Sequence, residues 1–339
     1  MSLGNKRFFL RNLLFRFAKK RSTMREKKEG HKVERKKLWL IYGMLTLATA
    51  TWGSAFIAGK FAIESFEPAT IAFLRFLGAA ILLFPIMWFF EKNRPKPTIK
   101  DWGMFALLGL TGIAIYNICF FLASKHAPVI KSSLFIAANP MLIVLLSGLF
   151  LKEVITKKQI IGLFLALTGV VLIVTEGNAG VITQFQFEMI DLVLLGAVIT
   201  WALYSVLGRV VLKKYSPIVS TTYAVAFGTF FLLPFSLVEQ PWNAIGTATP
   251  AAWLSIAHMS VLVTVVSFIL YYYGIQQIGA ARASIFINVM PLSAVIMATI
   301  FLGETFTASS MIGALFVLSG VYVGTYVHKK RIKRLRHAS

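Results

Sequence analysis

A single cysteine, Cys119, occurs among the 339 residues. A disulfide framework within the chain is therefore excluded. Negative charge is scarce: 13 Asp and Glu stand against 35 Lys and Arg, and none lies in the middle of an apolar run. A proton relay through a buried carboxylate has no residue to use, and paired aspartates for intramembrane proteolysis are missing. The G-x-x-x-x-G-K-[ST] and Rossmann glycine patterns are absent, as are H-E-x-x-H and G-x-S-x-G, so nucleotide-driven, zinc-protease and serine-hydrolase chemistry lack their signatures. No secretory cleavage pattern precedes the first apolar run.

What the chain has instead is apolar length. It is 57% hydrophobic with mean hydropathy +0.74. A helix crosses the hydrocarbon core with about 20 apolar residues. Ten runs qualify: 38–61, 68–90, 101–123, 127–151, 158–176, 188–212, 217–239, 250–278, 280–301 and 309–327. They are continuous rather than alternating, which excludes a strand barrel. The expected fold is all-α and integral to the membrane.

The net charge of +22 follows from where the basic residues sit. Residues 1–37, 91–100, 152–158, 213–214 and 329–336 hold 29 of the 35 Lys and Arg, whereas the loops near 177–187, 240–249 and 302–308 hold none. The positive-inside rule accounts for this pattern without a nucleic-acid partner, and puts both termini in the cytosol.

The apolar region is written twice. Trp52 matches Trp201, Lys60 matches Arg209, Pro68 matches Pro217 and Pro85 matches Pro234 at a shift of 149. The shift then becomes 151, matching Trp102 with Trp253, Lys131 with Arg282, Pro140 with Pro291, Glu153 with Glu304, Gly162 with Gly313 and Gly169 with Gly320. Each copy has five spans, an odd number, so the second enters the membrane inverted. The expected domains are a basic tail (1–37), repeat 1 (38–176), an extracytoplasmic loop (177–187), repeat 2 (188–327) and a basic end (328–339). Inverted repeats are the mark of transporters, with the site at the repeat interface.

Polar groups inside the spans are the candidate solute-binding residues. Arg75 sits about 10 Å into its span at ~1.5 Å per residue, and its counterpart is Ala224. It either lines a cavity, where it would hold a carboxylate, or pairs with Glu64 or Glu67. Trp52 and Trp201 lie mid-span, away from the interfacial belt, as cavity walls or as interhelical packing. Tyr116, Asn117, Tyr204 and Tyr223 are further wall candidates, whereas Tyr271–Tyr273 are expected in the interfacial belt. Asn139 and Asn288 flank Pro140 and Pro291. These prolines leave the carbonyls of Ile136 and Ile287 without their helical donors, so the two segments are candidate gates. Lys60, Arg209, Lys131 and Arg282 are expected to snorkel. Glu153 and Glu304 are read as helix-end residues. His258 is the one plausible titratable relay within a span. Gly162/Gly169 and Gly313/Gly320 mark faces for close helix packing. No metal or cofactor is expected.

Residues 1–37 carry 14 basic and 3 acidic side chains. Phe8, Phe9, Leu10, Leu13, Leu14 and Phe17 could form the apolar face of a helix on anionic lipid. A disordered basic tail fits the same composition, as does a start at Met24. A transit peptide is a further reading.

Trp52-Gly53-Ser54, Lys60, Arg75 and the proline-centred spans ending in Leu151-Lys152-Glu153 and Leu302-Gly303-Glu304 resemble the EamA-type transporters of the drug/metabolite transporter superfamily. The resemblance covers about residues 38–327. It implies ten helices in two inverted five-helix repeats. The first four of each repeat would enclose a cavity, and the fifth and tenth would be peripheral. It also implies export of amino acids, related small metabolites or toxic compounds across the cytoplasmic membrane by alternating access, with no enzymatic role. A membrane-embedded enzyme and a non-transporting sensor or scaffold are the alternatives.

Overall fold

The computed structural model describes residues 36–126, 132, 135–178, 180, 188–303 and 307–325. Expectations for the basic tail before residue 36, Met24, Lys131, Glu304 and the basic end lie outside these residues. The chain divides after Gly43 into two units. Of the first, residues 36–43 open a helix in which Trp39 and Tyr42 meet edge to face at 6.0 Å. The second unit holds the rest of that helix and all the others.

Every described element is helical. The spans are α1 (Lys36–Ala62), α2 (Pro68–Phe90), α3 (Ile99–Phe120), α4 (Phe135–Phe150), α5 (Lys157–Val174), α6 (Met189–Val211), α7 (Pro217–Val238), α8 (Pro250–Ile278), α9 (Ala280–Phe301) and α10 (Ala308–Thr325). Among the described residues, nine are long and apolar enough to cross a membrane, and α4 is shorter. With two copies of five, the fold is the ten-helix, two-repeat membrane architecture.

Local sequence chemistry sets the ends. Pro68, Pro217 and Pro250 occupy first-turn positions, where a missing N–H costs nothing. Thr98 with Asp101, and Thr156 with Gln159, form capping boxes that start α3 and α5. Asp101 also accepts from Lys214 in the α6–α7 turn. That bond raises the Lys214 ammonium above the usual lysine range, and the ammonium lies 5.1 Å from the centroid of the Tyr215 ring.

The interior is largely apolar, with Leu45, Phe76, Leu83 and Phe105 fully buried, and the exterior is apolar as well. Phe89, Leu145, Phe230, Ile300 and Leu315 are exposed, whereas Thr49, Ser205, Ser220, Thr221, Thr222 and Thr264 are fully buried. Such an apolar exterior needs lipid. The buried hydroxyls are largely satisfied by their own helices: Thr49 donates to the Leu45 carbonyl at 2.9 Å and Thr222 to that of Ile218 at 2.8 Å.

Matched spans pack on each other. α5 and α10 meet through their glycines: a Cβ on Gly169 would come 2.5 Å from the Gly313 carbonyl oxygen, and one on Gly162 would overlap the Gly324 backbone. The shared glycine face expected from the sequence is thus the α5–α10 seam. α2 and α7 also pack together, and the Glu239 carboxylate accepts the N–H groups of Ala69 (3.0 Å) and Thr70 (2.6 Å) at the start of α2.

Three helices are irregular. α3 and α8 pass through π-helical turns at Gly109–Ile115 and Met259–Val266. These stand at corresponding places in the two repeats, since Gly109 shifted by 151 is Ser260. α9 begins with a short α-helical turn, continues as a 3-10 helix over Ser284–Asn288, and becomes α-helical again at Val289. α4 is interrupted at Ala138, so that Pro140 lies in the first turn of Asn139–Phe150. Both proline segments are therefore broken helices, as expected from their sequence.

Candidate functional site

The most polar and aromatic part of the interior is built by α1, α2, α3, α6 and α8. Three consecutive residues of α1 point three ways because successive helical side chains are about 100° apart. The Trp52 ring enters an aromatic cluster. Gly53 lets α1 meet α9, where a Cβ would sit 2.7 Å from the Met290 carbonyl oxygen. The Ser54 hydroxyl lies 2.7 Å from His258 Nε2.

The cluster draws on both repeats. Trp52 meets Trp201 at 5.2 Å, Tyr271 at 5.0 Å and Phe268 at 5.9 Å between ring centroids. Trp201 continues to Tyr116 at 4.9 Å and Tyr204 at 5.2 Å. Tyr204 stacks on Tyr272 at 5.0 Å, and its own ring fills the space where Gly112 lacks a side chain. The Trp52 indole N–H donates to the Val263 carbonyl at 3.2 Å, and Asn117 Nδ2 to that of Ile113 at 2.7 Å. Each π-helical turn thus offers a carbonyl to a side chain, as widened turns at functional sites do.

Arg75 lies beside this cluster, 9% exposed. Its Nε donates to Thr264 Oγ1 at 2.9 Å, and its guanidinium is 4.8 Å from the centroid of the Phe76 ring. The Tyr116 hydroxyl is within its electrostatic reach. Among the described residues no carboxylate pairs with Arg75, and no protein acceptor meets its remaining N–H groups. The pairing with Glu64 or Glu67 considered from sequence is not formed. A desolvated cation without a counter-ion is costly, and a forked guanidinium is suited to a planar anion.

Thus Trp52, Arg75, Tyr116, Trp201 and Tyr204 come together, while Asn117 is buried on α3 and bonded to its own helix. Asn139 and Asn288 are buried on the broken helices, each with its side-chain carbonyl oxygen unpaired among the described residues. Tyr223 is elsewhere: it packs on Trp102 and Phe105, at 4.9 Å from each. Tyr271 and Tyr272 are fully buried rather than in the interfacial belt. A period-based reading places them near the span end, but cannot see that α8 is shielded there. Thr264 and Phe268 had no sequence signal, since Thr and Phe are common in any span. Among the described residues no cluster of His, Cys, Asp or Glu is placed to hold a metal.

A second cluster joins the ends of α4, α6, α8 and the start of α9. The Glu153 carboxylate accepts the N–H groups of Ala280 and Ala281 at 3.1 Å each, and lies 3.7 Å from Arg209 Nε. Arg209 Nη1 donates to the carbonyls of Ile275 (2.9 Å) and Gln276 (2.5 Å). Arg209 is therefore a tie between helices rather than a snorkelling side chain. Gly279, at φ +89°, allows the tight turn beneath the carboxylate.

The EamA-like transporter family model matches residues 39–175 and 188–326, once in each repeat. A relative from Bacillus subtilis, "Uncharacterized transporter YyaM", is 31% identical over 287 residues, which cover 85% of this chain and 94% of the relative. A Streptantibioticus cattleyicolor protein named "Probable terminal-alkyne amino-acid exporter" is 28% identical, covering 87% and 95%. A crystal structure at 17% identity superposes with a TM-score of 0.69 over 83% of this chain and 95% of its own, which speaks to the fold. Two matched repeats, a lipid-facing exterior and an interior site shared between the halves agree with these likenesses: the chain belongs to the EamA-like transporter family and is a multi-pass membrane transporter.

Proposed function

We propose that the protein is a secondary transporter that exports amino acids or related small metabolites and toxic compounds across the cytoplasmic membrane by alternating access. Both termini face the cytosol, where the basic tails meet anionic lipid. The observation that carries this reading is Arg75: a buried guanidinium with free donors beside a wall of Trp52, Trp201 and Tyr116. That pairing suits a carboxylate joined to an apolar side chain. The name borne by the Streptantibioticus relative points the same way. Asn139 and Asn288 border the same route, and the broken segments at Pro140 and Pro291 are the gates, because interrupted helices shift with few hydrogen bonds to break. Tyr223, on Trp102, is a packing residue in this reading.

The test compares metabolites in the medium of cells lacking and overproducing the protein. A solute that rises with overproduction and falls with loss is the cargo. A solute that moves the opposite way would overturn export, and uptake by proteoliposomes only through protein in its cellular, right-side-out orientation would do the same.

A further inference from the structure

His258 ends the first segment of α8, where the π-helical turn begins. Its Nε2 lies 2.7 Å from Ser54 Oγ, and that hydroxyl is also 2.7 Å from the Thr51 carbonyl oxygen. A hydroxyl has one proton to donate. Ser54 can give it to Thr51 while accepting from a protonated Nε2, or turn it towards an unprotonated Nε2. The surroundings therefore accommodate the ring in both charge states without moving a helix.

The charges around His258 are few. From α2, Arg75 is within electrostatic reach, and its backbone carbonyl accepts from Ser260, two residues beyond His258, at 2.9 Å. α8 carries no other charged side chain, and beyond Met44 α1 has only Lys60, which is exposed. Glu64 and Glu67 are exposed in the α1–α2 turn, and Glu239 is committed to Ala69 and Thr70. No carboxylate faces the ring among the described residues. A proton on His258 adds a second cation near Arg75, and an anion on Arg75 leaves room for one positive charge.

His258 stands at the start of the π-helical turn of α8, and Thr264, the partner of Arg75, lies within the same turn. An α-amino acid carries its ammonium on the carbon next to its carboxylate, so it brings one positive charge beside the anion that Arg75 holds.

We propose that His258 is the site where the ammonium of the solute and a proton exclude each other, so that each zwitterion carried outward is exchanged for a proton carried inward. This inference rests on the reading above, with the carboxylate at Arg75. The imidazolium releases its proton to water. The ammonium then donates to Ser54 Oγ, which turns its own proton from the Thr51 carbonyl to the freed Nε2 lone pair. On the other side of the membrane the solute leaves and Nε2 takes a proton from water. A solute without an amine has the opposite coupling, because its carboxylate neutralises Arg75 and favours the imidazolium.

Calorimetry on the purified full chain tests this. The probes are the twenty proteinogenic L-amino acids and the deaminated analogue of the tightest binder, in buffers of different ionisation enthalpy. For a proton competing at an imidazole of ordinary basicity, amino-acid affinity falls about thirtyfold between pH 8 and pH 5, with nearly one proton released per solute at pH 5. The analogue binds more tightly at pH 5 and takes up a proton. His258→Gln keeps an acceptor, binds more weakly than wild type at pH 8, and shows equal affinity at both pH values. The wild-type proton count stands even if this variant does not fold. Amino-acid binding that depends on Arg75 but releases no proton, or a His258→Gln variant that retains the pH effect, overturns the role of His258 alone. If none of the twenty binds at either pH, both the amino-acid reading and this inference fail.

Discussion

Trp52 and Trp201 are the same residue of the two repeats, and they touch: their ring centroids are 5.2 Å apart with planes at 86°. The contact places corresponding points of the two halves together in the interior. In the alternating-access mechanism proposed above, motion of one half against the other slides or opens this edge-to-face pair.

The strength of that link is measurable. A double-mutant cycle with Trp52→Leu and Trp201→Leu is expected to give a coupling of about 0.5–1.5 kcal/mol in chemical denaturation. Trp52→Leu should cost more alone, since it also leaves the Val263 carbonyl without its indole donor. Strict additivity would show that the rings are neighbours without mutual stabilisation.

Arg75 makes the sharpest functional prediction. Arg75→Gln is expected to weaken binding of a carboxylate solute by about 30- to 100-fold, the worth of a charge-assisted bond of roughly 2–3 kcal/mol. Binding of the matching amine without a carboxylate should not weaken. Equilibrium binding on both compounds decides it: equal losses would mean a general packing defect, and no loss would remove Arg75 from the site.

Glu153→Gln should lower stability. The amide keeps one acceptor oxygen but loses the charge that Ala280, Ala281 and Arg209 share. A cost of about 1–3 kcal/mol is expected. Arg209→Gln should cost less in the Glu153→Gln background than in wild type, because the ion pair is already gone and only its bonds to the Ile275 and Gln276 carbonyls remain to be lost. Full additivity in the melting of single and double variants would show that the tie is geometric only.

Gly169→Leu tests the α5–α10 seam. Overpacking there is expected to destabilise by about 1–3 kcal/mol or more, since the Gly313 carbonyl leaves no room for a side chain. Solute selectivity should be unchanged in the folded fraction, because this seam lies apart from the Trp52–Arg75 cluster. A changed ranking among solutes would place α5 and α10 at the cavity.

Much of this was legible in the chain. Hydropathy runs report helices directly, because lipid forces each span to be long, apolar and internally hydrogen-bonded. Pro140 and Pro291 marked candidate breaks, since a residue without an N–H cannot donate to the ladder, but Pro85 and Pro234 sit inside α2 and α7 without interrupting them, so the sequence did not say which prolines break a helix. Gly162, Gly169, Gly313 and Gly320 announced a packing seam by spacing. Other features were hidden. Tyr271 and Tyr272 read as interfacial by their distance from the span end, yet neighbouring helices cover them. Tyr223 read as a wall residue by depth, yet it faces Trp102. Depth along a helix is set by position in the sequence, whereas direction around it depends on which neighbours arrive.

The sequence alone determined the spans, their doubling and the intramembrane cation, because each follows from the cost of polar groups and charges in hydrocarbon, paid residue by residue. Only the tertiary structure decided that Trp52 meets Trp201, that Arg75 holds Thr264 rather than an acid, that Ser54 meets His258, and that Glu153 ties α4 to α9. These pairs lie from 127 to 204 residues apart in the chain. Contacts at such separation arise only when helices pack, and the widened turns at Gly109–Ile115 and Met259–Val266 rotate the side chains beyond them in a way no fixed helical period reports.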